Sequence, residues 1–340
     1  MLSITTDASL LNYNTFGIDC RAKTLAVVSS EGDLEELSRS GLLPSGGYVV
    51  IGGGSNLVLA ERYEGTVVLM ANKGIAVVEE NDDELIVEAA AGEVWDHFVK
   101  GCVAKGWYGI ENLVAIPGTV GASAVQNIGA YGVEAKDRIV TVRAYDVCEK
   151  AWVDFMTDEC GYGYRESRFK HKEGKRYIVT SMRYRMDKTY KPVLTYKALV
   201  DELGSAATLD AATVSLTIEE IRWSKLPKPE VKGNAGSFFK NPVVSESKFD
   251  ELKKQYPDLA AHKVEGGFKL AAGWLIDRCG WKGRTMGRCG VYEKQALVLV
   301  NNGGCSGQEV RELAGRIAED VKGKFGVTID CEAEFVGFLN

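Results

Sequence analysis

The sequence predicts a mixed α and β protein of two or three domains, and three observations carry that reading. A strand, helix, strand unit opens the chain: apolar residues 24–28, then a helix begun by Ser30 with Leu34 and Leu37 on one face, then β-branched Val49, Val50 and Ile51. From Lys73 the pattern changes to short alternating segments separated by turn residues. Pro227, Pro229 and Gly233 then mark a linker to a last region. With 340 residues, 45% hydrophobic and 26% charged, the chain is long enough for a core in each part.

The charge balance excludes some classes of partner. A net charge of -6 and a pI near 5.4 argue against a nucleic-acid or anionic-membrane surface, which needs a basic face. No apolar run approaches the ~20 residues of a membrane span, and residues 1–9 lack the basic-then-apolar layout of a signal peptide. A cytoplasmic location is therefore expected. The eight cysteines are scattered with no Cys-x-x-Cys pair, and His97, His171 and His262 lack ligand spacing. Reduced, mostly buried thiols and no structural metal are expected.

The first strand, helix, strand unit predicts parallel pairing of residues 24–28 with 49–51. Directly after Ile51 come Gly52, Gly53 and Gly54, which remove every side chain where the strand ends. Consecutive glycines let neighbouring N–H groups face one side and form an anion-binding concavity, with Ser55 and Asn56 at its rim. The spacing differs from the dinucleotide fingerprint Gly-x-Gly-x-x-Gly, and residues 57–59 and 66–70 read as strand, turn, strand rather than a long helix. The plain alternative is a glycine-rich hairpin connection that binds nothing.

Residues 75–78 and 85–89 read as strands around the turn Asn81, Asp82, Asp83, and Gly92 and Glu93 open a helix. Its Trp95, Phe98, Val99, Cys102 and Val103 form a core stripe. In residues 118–132 small residues dominate, so a flat ligand could lie against the backbone, and Gln126 and Asn127 offer amide groups. The alternative there is close packing of strands with tight turns.

Residues 138–147 and 177–186 alternate as strands. Between them lies a basic stretch interleaved with aromatics. Lys172, Lys175 and Arg176 are expected on a solvated turn, whereas Arg165, between Tyr164 and Glu166, is placed to hold a carboxylate with its planar fork. A proline-led loop, residues 191–196, precedes another helix. In the last region Ser237 follows Ala235 and Gly236 and precedes Phe238 and Phe239, a hydroxyl in apolar surroundings. Without a nearby histidine in the sequence it does not read as a hydrolase nucleophile. Helices are expected around 249–256 and 270–279, a strand at 296–300, and a capping box of Ser306 and Glu309 opening a helix with Val310, Leu313, Ile317 and Val321 inward. Residues 327–335 alternate as a final strand, and alternation alone does not select which acid among Asp330, Glu332 and Glu334 faces a cleft.

Together, Asn14-Thr15-Phe16-Gly17, Gly53-Gly54-Ser55-Asn56, Ile116-Pro117-Gly118, Gln126-Asn127-Ile128-Gly129-Ala130-Tyr131-Gly132, Tyr164-Arg165-Glu166-Ser167 and Asn234-Ala235-Gly236-Ser237-Phe238-Phe239-Lys240-Asn241-Pro242 resemble the MurB family, the UDP-N-acetylenolpyruvoylglucosamine reductases. Residues 269–276, 295–300 and the segment around Glu332 extend the likeness almost to the end, and the Tyr196 loop is similar to the substrate-closing loop of the family's longer type. Gly53 stands where some members carry Glu, and Glu334 where a basic residue is common. The resemblance implies an α+β chain: a two-lobed FAD-binding fold of the vanillyl-alcohol-oxidase (PCMH) type, residues 1–72 and 73–224, plus a C-terminal α/β substrate domain, residues 225–340.

It further implies reduction of the enolpyruvyl group of a UDP-amino sugar by NADPH, giving UDP-N-acetylmuramate for peptidoglycan; a monomer is the separate expectation. Ile51, Gly52, Gly53, Gly54, Ser55, Asn56, Leu57, Ile116, Pro117, Gly118, Gly121, Ala122, Ser123, Gln126, Asn127, Gly129 and Arg222 would hold FAD. Tyr131, Tyr164, Tyr196, Lys225, Asn241 and Gln295 would contact substrate. In that chemistry the β-carbon of an enolpyruvyl double bond accepts hydride only if charge building toward the carboxylate is stabilised, a task for Arg165 aided by Glu332. Ser237 would then give a proton to the α-carbon. Two other classes stay open from sequence: a flavin oxidase of the same fold, and a nucleotide-binding protein without redox chemistry.

Overall fold

The computed structural model describes residues 1–44, 47–204 and 209–338; residues 45–46, 205–208 and 339–340, within the expected lobes and last region, lie outside that description. The chain forms two compact units. One comprises Met1–Ala8, Ala22–Gly54 and Glu64–Trp223, and the other Ser9–Arg21, Ser55–Tyr63 and Ser224–Asn340.

The first unit contains a four-stranded sheet in the order Ser3–Ser9, Arg21–Val28, Arg62–Met70, Tyr48–Ile51. Ser30 accepts from the N–H of Asp33 and caps the helix Glu31–Arg39, whose Leu34 and Leu37 are fully buried with Ala26, Val28 and Val68. The strand Tyr48–Ile51 does pair in parallel, but with Arg62–Met70, which inserts between it and Arg21–Val28. The sequence expectation therefore had the right orientation and the wrong neighbour. A five-stranded sheet follows in the order Ala151–Met156, Ile139–Asp146, Tyr177–Asp187, Glu84–Ala90, Ile75–Glu80. On it packs the helix Trp95–Ala104, with Trp95, Phe98 and Tyr184 in mutual ring contact at 5.3–5.9 Å. Arg176, on the turn Gly174–Arg176 as expected, also pairs both guanidinium arms with the buried Asp146.

The second unit is built on a four-stranded sheet in the order Asn234–Ser237, Val298–Asn301, Cys289–Val291, Thr285–Met286. Leu57–Leu59 belongs here and is no hairpin mate of the strand after it: it pairs in parallel with Glu334–Val336. Val58 and Leu59 are buried, and Gly307 at the start of the helix Gly307–Phe325 lies so close to the Leu59 carbonyl that an added Cβ would fall 1.9 Å from it. The expected final strand is broken. Lys240 N–H donates to the Asp330 carbonyl and Glu332 N–H to that of Phe238, whereas Glu334 N–H donates to Asn56. The segment changes partner midway, so its buried alternation at Val327 and Ile329 is real while regular strand is confined to Glu334–Val336.

One expectation about the cysteines needs correcting. Cys289 and Cys305 form a disulfide, because the strand Cys289–Val291 places Cys289 opposite Asn301, whose side-chain oxygen in turn accepts from the N–H of Cys305. Glu309 lies beside the pair but is committed to its capping box with Ser306 and to Arg288.

Two predictions follow from this unit. The disulfide joins residues with a sequence separation of 16, and closure of a loop of that order contributes about 3 kcal/mol. Dithiothreitol should lower the thermal midpoint of the protein and leave that of a Cys289→Ala/Cys305→Ala variant unmoved; equal midpoints with and without reductant would contradict it. The Arg288 guanidinium, followed by the Ser306 N–H, holds the Glu309 carboxyl down from an ordinary 4.5 to about 2. Because the folded value is depressed, this stabilisation is present above pH 4.5 and lost as pH falls toward about 2. Urea unfolding of Glu309→Gln across that window should show a flatter acid limb than the parent.

Candidate active site

In the first unit the two glycine-rich segments meet. A Cβ on Gly52 would lie 2.2 Å from Thr119 Oγ1, and one on Gly53 would lie 3.0 Å from the Gly118 Cα, so only bare backbone fits on the Gly52 side. Gly52 and Gly53, which follow Ile51, are thereby set beside Thr119 and Gly118. Among the described residues, the N–H groups of Gly53 and Gly54 donate to no backbone carbonyl. The stretch after Gly118 is a short helix, Val120–Gln126, which the Gly- and Ala-rich sequence did not disclose. Gly121 lets it rest on Ala91, where a Cβ would come within 2.7 Å of the Ala91 methyl.

Several expected cofactor residues have side chains already engaged. Ser123 is buried, donating to the Val120 carbonyl and bonded to the Tyr184 hydroxyl. Asn127, buried and left-handed at φ 42°, donates to Glu134 and Gly163 and accepts from Lys136. Gln126 accepts from Lys170. The side chains of Ser123 and Asn127 are thus taken up within the unit, while Gln126 uses its Oε1. Ser55, Asn56 and Leu57 belong to the second unit, where Asn56 Nδ2 donates to the Glu332 carbonyl at 3.0 Å.

Two arginines and two tyrosines gather in the first unit. Arg165, left-handed at φ 54°, donates to the carbonyls of Gly129 at 2.8 Å and Asn127 at 3.4 Å and lies over the Tyr164 ring. Arg222 donates through Nε to the Ala115 carbonyl at 3.2 Å. Among the described residues no carboxylate lies within ion-pair distance of Arg222; burial, with the Arg165 cation adding to it, pushes its guanidinium below the ordinary arginine range. Tyr131 meets Tyr196 edge to face at 5.0 Å, and burial raises its hydroxyl above the usual tyrosine value. Two neighbouring guanidinium groups, one of them largely buried, suit an anionic ligand.

In the second unit a bulge presents Ser237. The register runs Asn234 to Val300 and Ser237 to Val298, so three steps on one strand oppose two on the other, and Gly236 absorbs the extra residue at φ 69°. Ser237 is exposed, while Phe238 and Phe239 are buried behind it. Glu332 N–H bonds the Phe238 carbonyl, which brings Glu332 to the segment adjoining Ser237. Asn241 Oδ1 accepts from Ala272 N–H at the start of the helix Ala272–Arg278, and Gln295 Oε1 accepts from Leu297 N–H. Lys225 ends the helix Ala211–Lys225 and is exposed.

Residues 228–336 match the family model of the C-terminal domain of UDP-N-acetylenolpyruvoylglucosamine reductase, and residues 23–149 match that of an FAD binding domain. The UDP-N-acetylenolpyruvoylglucosamine reductase of Bacteroides fragilis is 46% identical over 329 residues, covering 96% of this chain and 98% of its own. That of Paraburkholderia phymatum is 44% identical over 331 residues, covering 96% of each. The chain belongs to the UDP-N-acetylenolpyruvoylglucosamine reductase family. The crystal structure of UDP-N-acetylenolpyruvylglucosamine reductase (MurB) from Thermus caldophilus superposes with a TM-score of 0.68 over 99% of both chains at 23% identity, which establishes a shared fold.

The cofactor of this reductase family member is FAD, and the first unit fits it. Bare backbone at Gly52 and Gly53, N–H groups of Gly53 and Gly54 without backbone acceptors, and the largely buried Arg222 cation are what a diphosphate and a flat ring require. Sequence reasoning missed Thr119, whose buried side chain forms the wall against Gly52; the Thr before a helix was the available signal. Gly52→Ala should lower flavin bound per chain at least tenfold, read from flavin absorbance against protein, because the Cβ and Thr119 Oγ1 compete for one space. Adding Thr119→Ala should recover part of the loss; normal flavin content in Gly52→Ala alone would contradict the packing argument.

Proposed function

We propose that the chain reduces the enolpyruvyl group of UDP-N-acetylglucosamine enolpyruvate to give UDP-N-acetylmuramate, with NADPH as reductant, in peptidoglycan precursor synthesis. The observation that carries the reading is full-length likeness to reductases of that name, joined to a glycine-lined backbone contact and a largely buried arginine in the same unit. FAD, when bound, supplies the hydride chemistry that no side chain carries. In this reading residues 1–72 and 73–224 are two lobes serving FAD, residues 225–340 serve substrate, and the protein acts as a cytoplasmic monomer.

The residues have distinct tasks. Ile51 to Leu57, Ile116, Pro117, Gly118, Gly121, Ala122, Ser123, Gln126, Asn127, Gly129 and Arg222 hold the cofactor, the engaged side chains among them through backbone. Arg165 stabilises negative charge that builds toward the substrate carboxylate as the β-carbon gains hydride, and its planar fork suits that group. Two backbone carbonyls fix the direction of the fork. Ser237 delivers a proton to the α-carbon. A serine is a weak acid, so the role depends on developing anionic charge beside it. The Gly236 bulge orients the hydroxyl, and Glu332, bonded to the next residue's carbonyl, acts as its hydrogen-bonding or relay partner. Tyr131, Tyr164, Tyr196, Lys225, Asn241 and Gln295 bind the sugar nucleotide, with Lys225 suited to phosphate.

Stopped-flow kinetics separate the half-reactions. In Ser237→Ala, flavin reduction by NADPH should stay near the parent rate while reoxidation by the enolpyruvyl sugar nucleotide slows by several orders of magnitude, since general acid catalysis alone contributes ~10²–10⁴-fold. An equally slow first half-reaction would overturn the proton-donor assignment.

A further inference from the structure

The 3₁₀ turn Glu111–Leu113 and the residues after it are fastened at nearly every position. Trp95 Nε1 donates to the Leu113 carbonyl at 2.8 Å, Asp96 accepts from Ala115 N–H at 2.6 Å, Arg222 donates to the Ala115 carbonyl, and Ser215 donates to that of Glu111 at 3.3 Å. From this fixed platform Asn112, fully buried, reaches two other segments: its Nδ2 donates to the carbonyls of Tyr131 and of Val193, each at 2.9 Å. Two carbonyls on one nitrogen settle the orientation of the amide, because the flipped group would oppose oxygen to oxygen. Its Oδ1 has no partner among the described residues, so the side chain is retained for its donors at the cost of a buried unmatched acceptor.

The two segments also interlock. Tyr131 is left-handed at φ 49°, and Gly132 at φ 85° leaves no room for a side chain, since a Cβ would sit 2.1 Å from Thr195 Oγ1. Residues 190–196 have no regular secondary structure of their own. Their end carries Tyr196, half-exposed, against the Tyr131 ring.

We infer that Asn112 is a latch: a positioning residue that ties the 190–196 loop to the 131–132 turn and so presents Tyr131 and Tyr196 to the sugar nucleotide as one aromatic wall. The inference rests on the proposed reductase reading for its substrate. It acts on binding rather than on the chemical steps, because Asn112 is buried under both segments and touches no group assigned to hydride or proton transfer.

Asn112→Leu keeps the volume and removes both donors. Its KM for the enolpyruvyl sugar nucleotide should rise on the order of tenfold, with flavin content and the rate of flavin reduction at saturating NADPH unchanged, the pattern of lost uniform binding. Chymotryptic cleavage after Tyr196 in substrate-free protein should accelerate by a similar factor. An unchanged KM with unchanged cleavage overturns the latch, and so does a fall in flavin content or in saturated flavin reduction, which would mark general structural support. If Asn112→Leu does not fold, Gly132→Ala decides by the same readouts, since its Cβ displaces Thr195 without touching Asn112. Failure of the parent protein to turn over the sugar nucleotide would sink the functional reading instead, and the cleavage rates would still judge the latch.

Discussion

Close approach of neighbouring groups to glycine backbone is the constraint on which the first unit depends. Gly52 lies against the Thr119 side chain at a distance that excludes even a methyl group, and Gly53 lies close on the Gly118 backbone. A polypeptide rarely leaves such a contact dry without purpose, because glycine costs conformational entropy and offers no side chain to bury. What it provides is a row of N–H groups and a flat surface, the two features a phosphate-bearing flavin needs. The neighbouring helix Val120–Gln126 obeys the same rule, resting on Ala91 through Gly121.

Positive charge gathers in the same unit at Arg165 and Arg222. Arg222 meets a carbonyl and the field of Arg165 and has no carboxylate within ion-pair distance among the described residues. Two like charges in one neighbourhood repel, and Asp96, which also accepts from the Ala115 N–H and pairs with Lys100, offsets part of that repulsion at Arg222.

The second unit solves a different problem, the presentation of one hydroxyl. Ser237 sits on a strand whose neighbours Phe238 and Phe239 are locked in the core, so its direction is set by the bulge at Gly236 rather than by its own rotamer alone. The bulge is held by Asn234, whose side chain accepts from Gly236 N–H and donates to Pro227 and Lys232. Glu332 arrives by a backbone bond from the far end of the chain.

Local pattern alone specified much of this protein. The Ser30 cap, the Trp95 stripe, the Ser306 and Glu309 capping box and most strands are short-range features, written in side-chain periodicity and hydrogen-bonding residues a few positions apart. The glycine runs and the short motifs likewise announced a cofactor and a family. Tertiary structure decided the partners. It set Arg62–Met70 between the two strands expected to pair, joined Leu57–Leu59 to the C-terminal strand, and divided the last segment between two neighbours. It linked Cys289 to Cys305, engaged the side chains of Ser123 and Asn127 in hydrogen bonds within the first unit, and placed Asn112 under two segments distant in sequence. The physical reason is the same in each case: periodicity records which face of an element is buried, whereas pairing across long sequence separations depends on which surfaces fill one another's space, and no single stretch of residues contains that information.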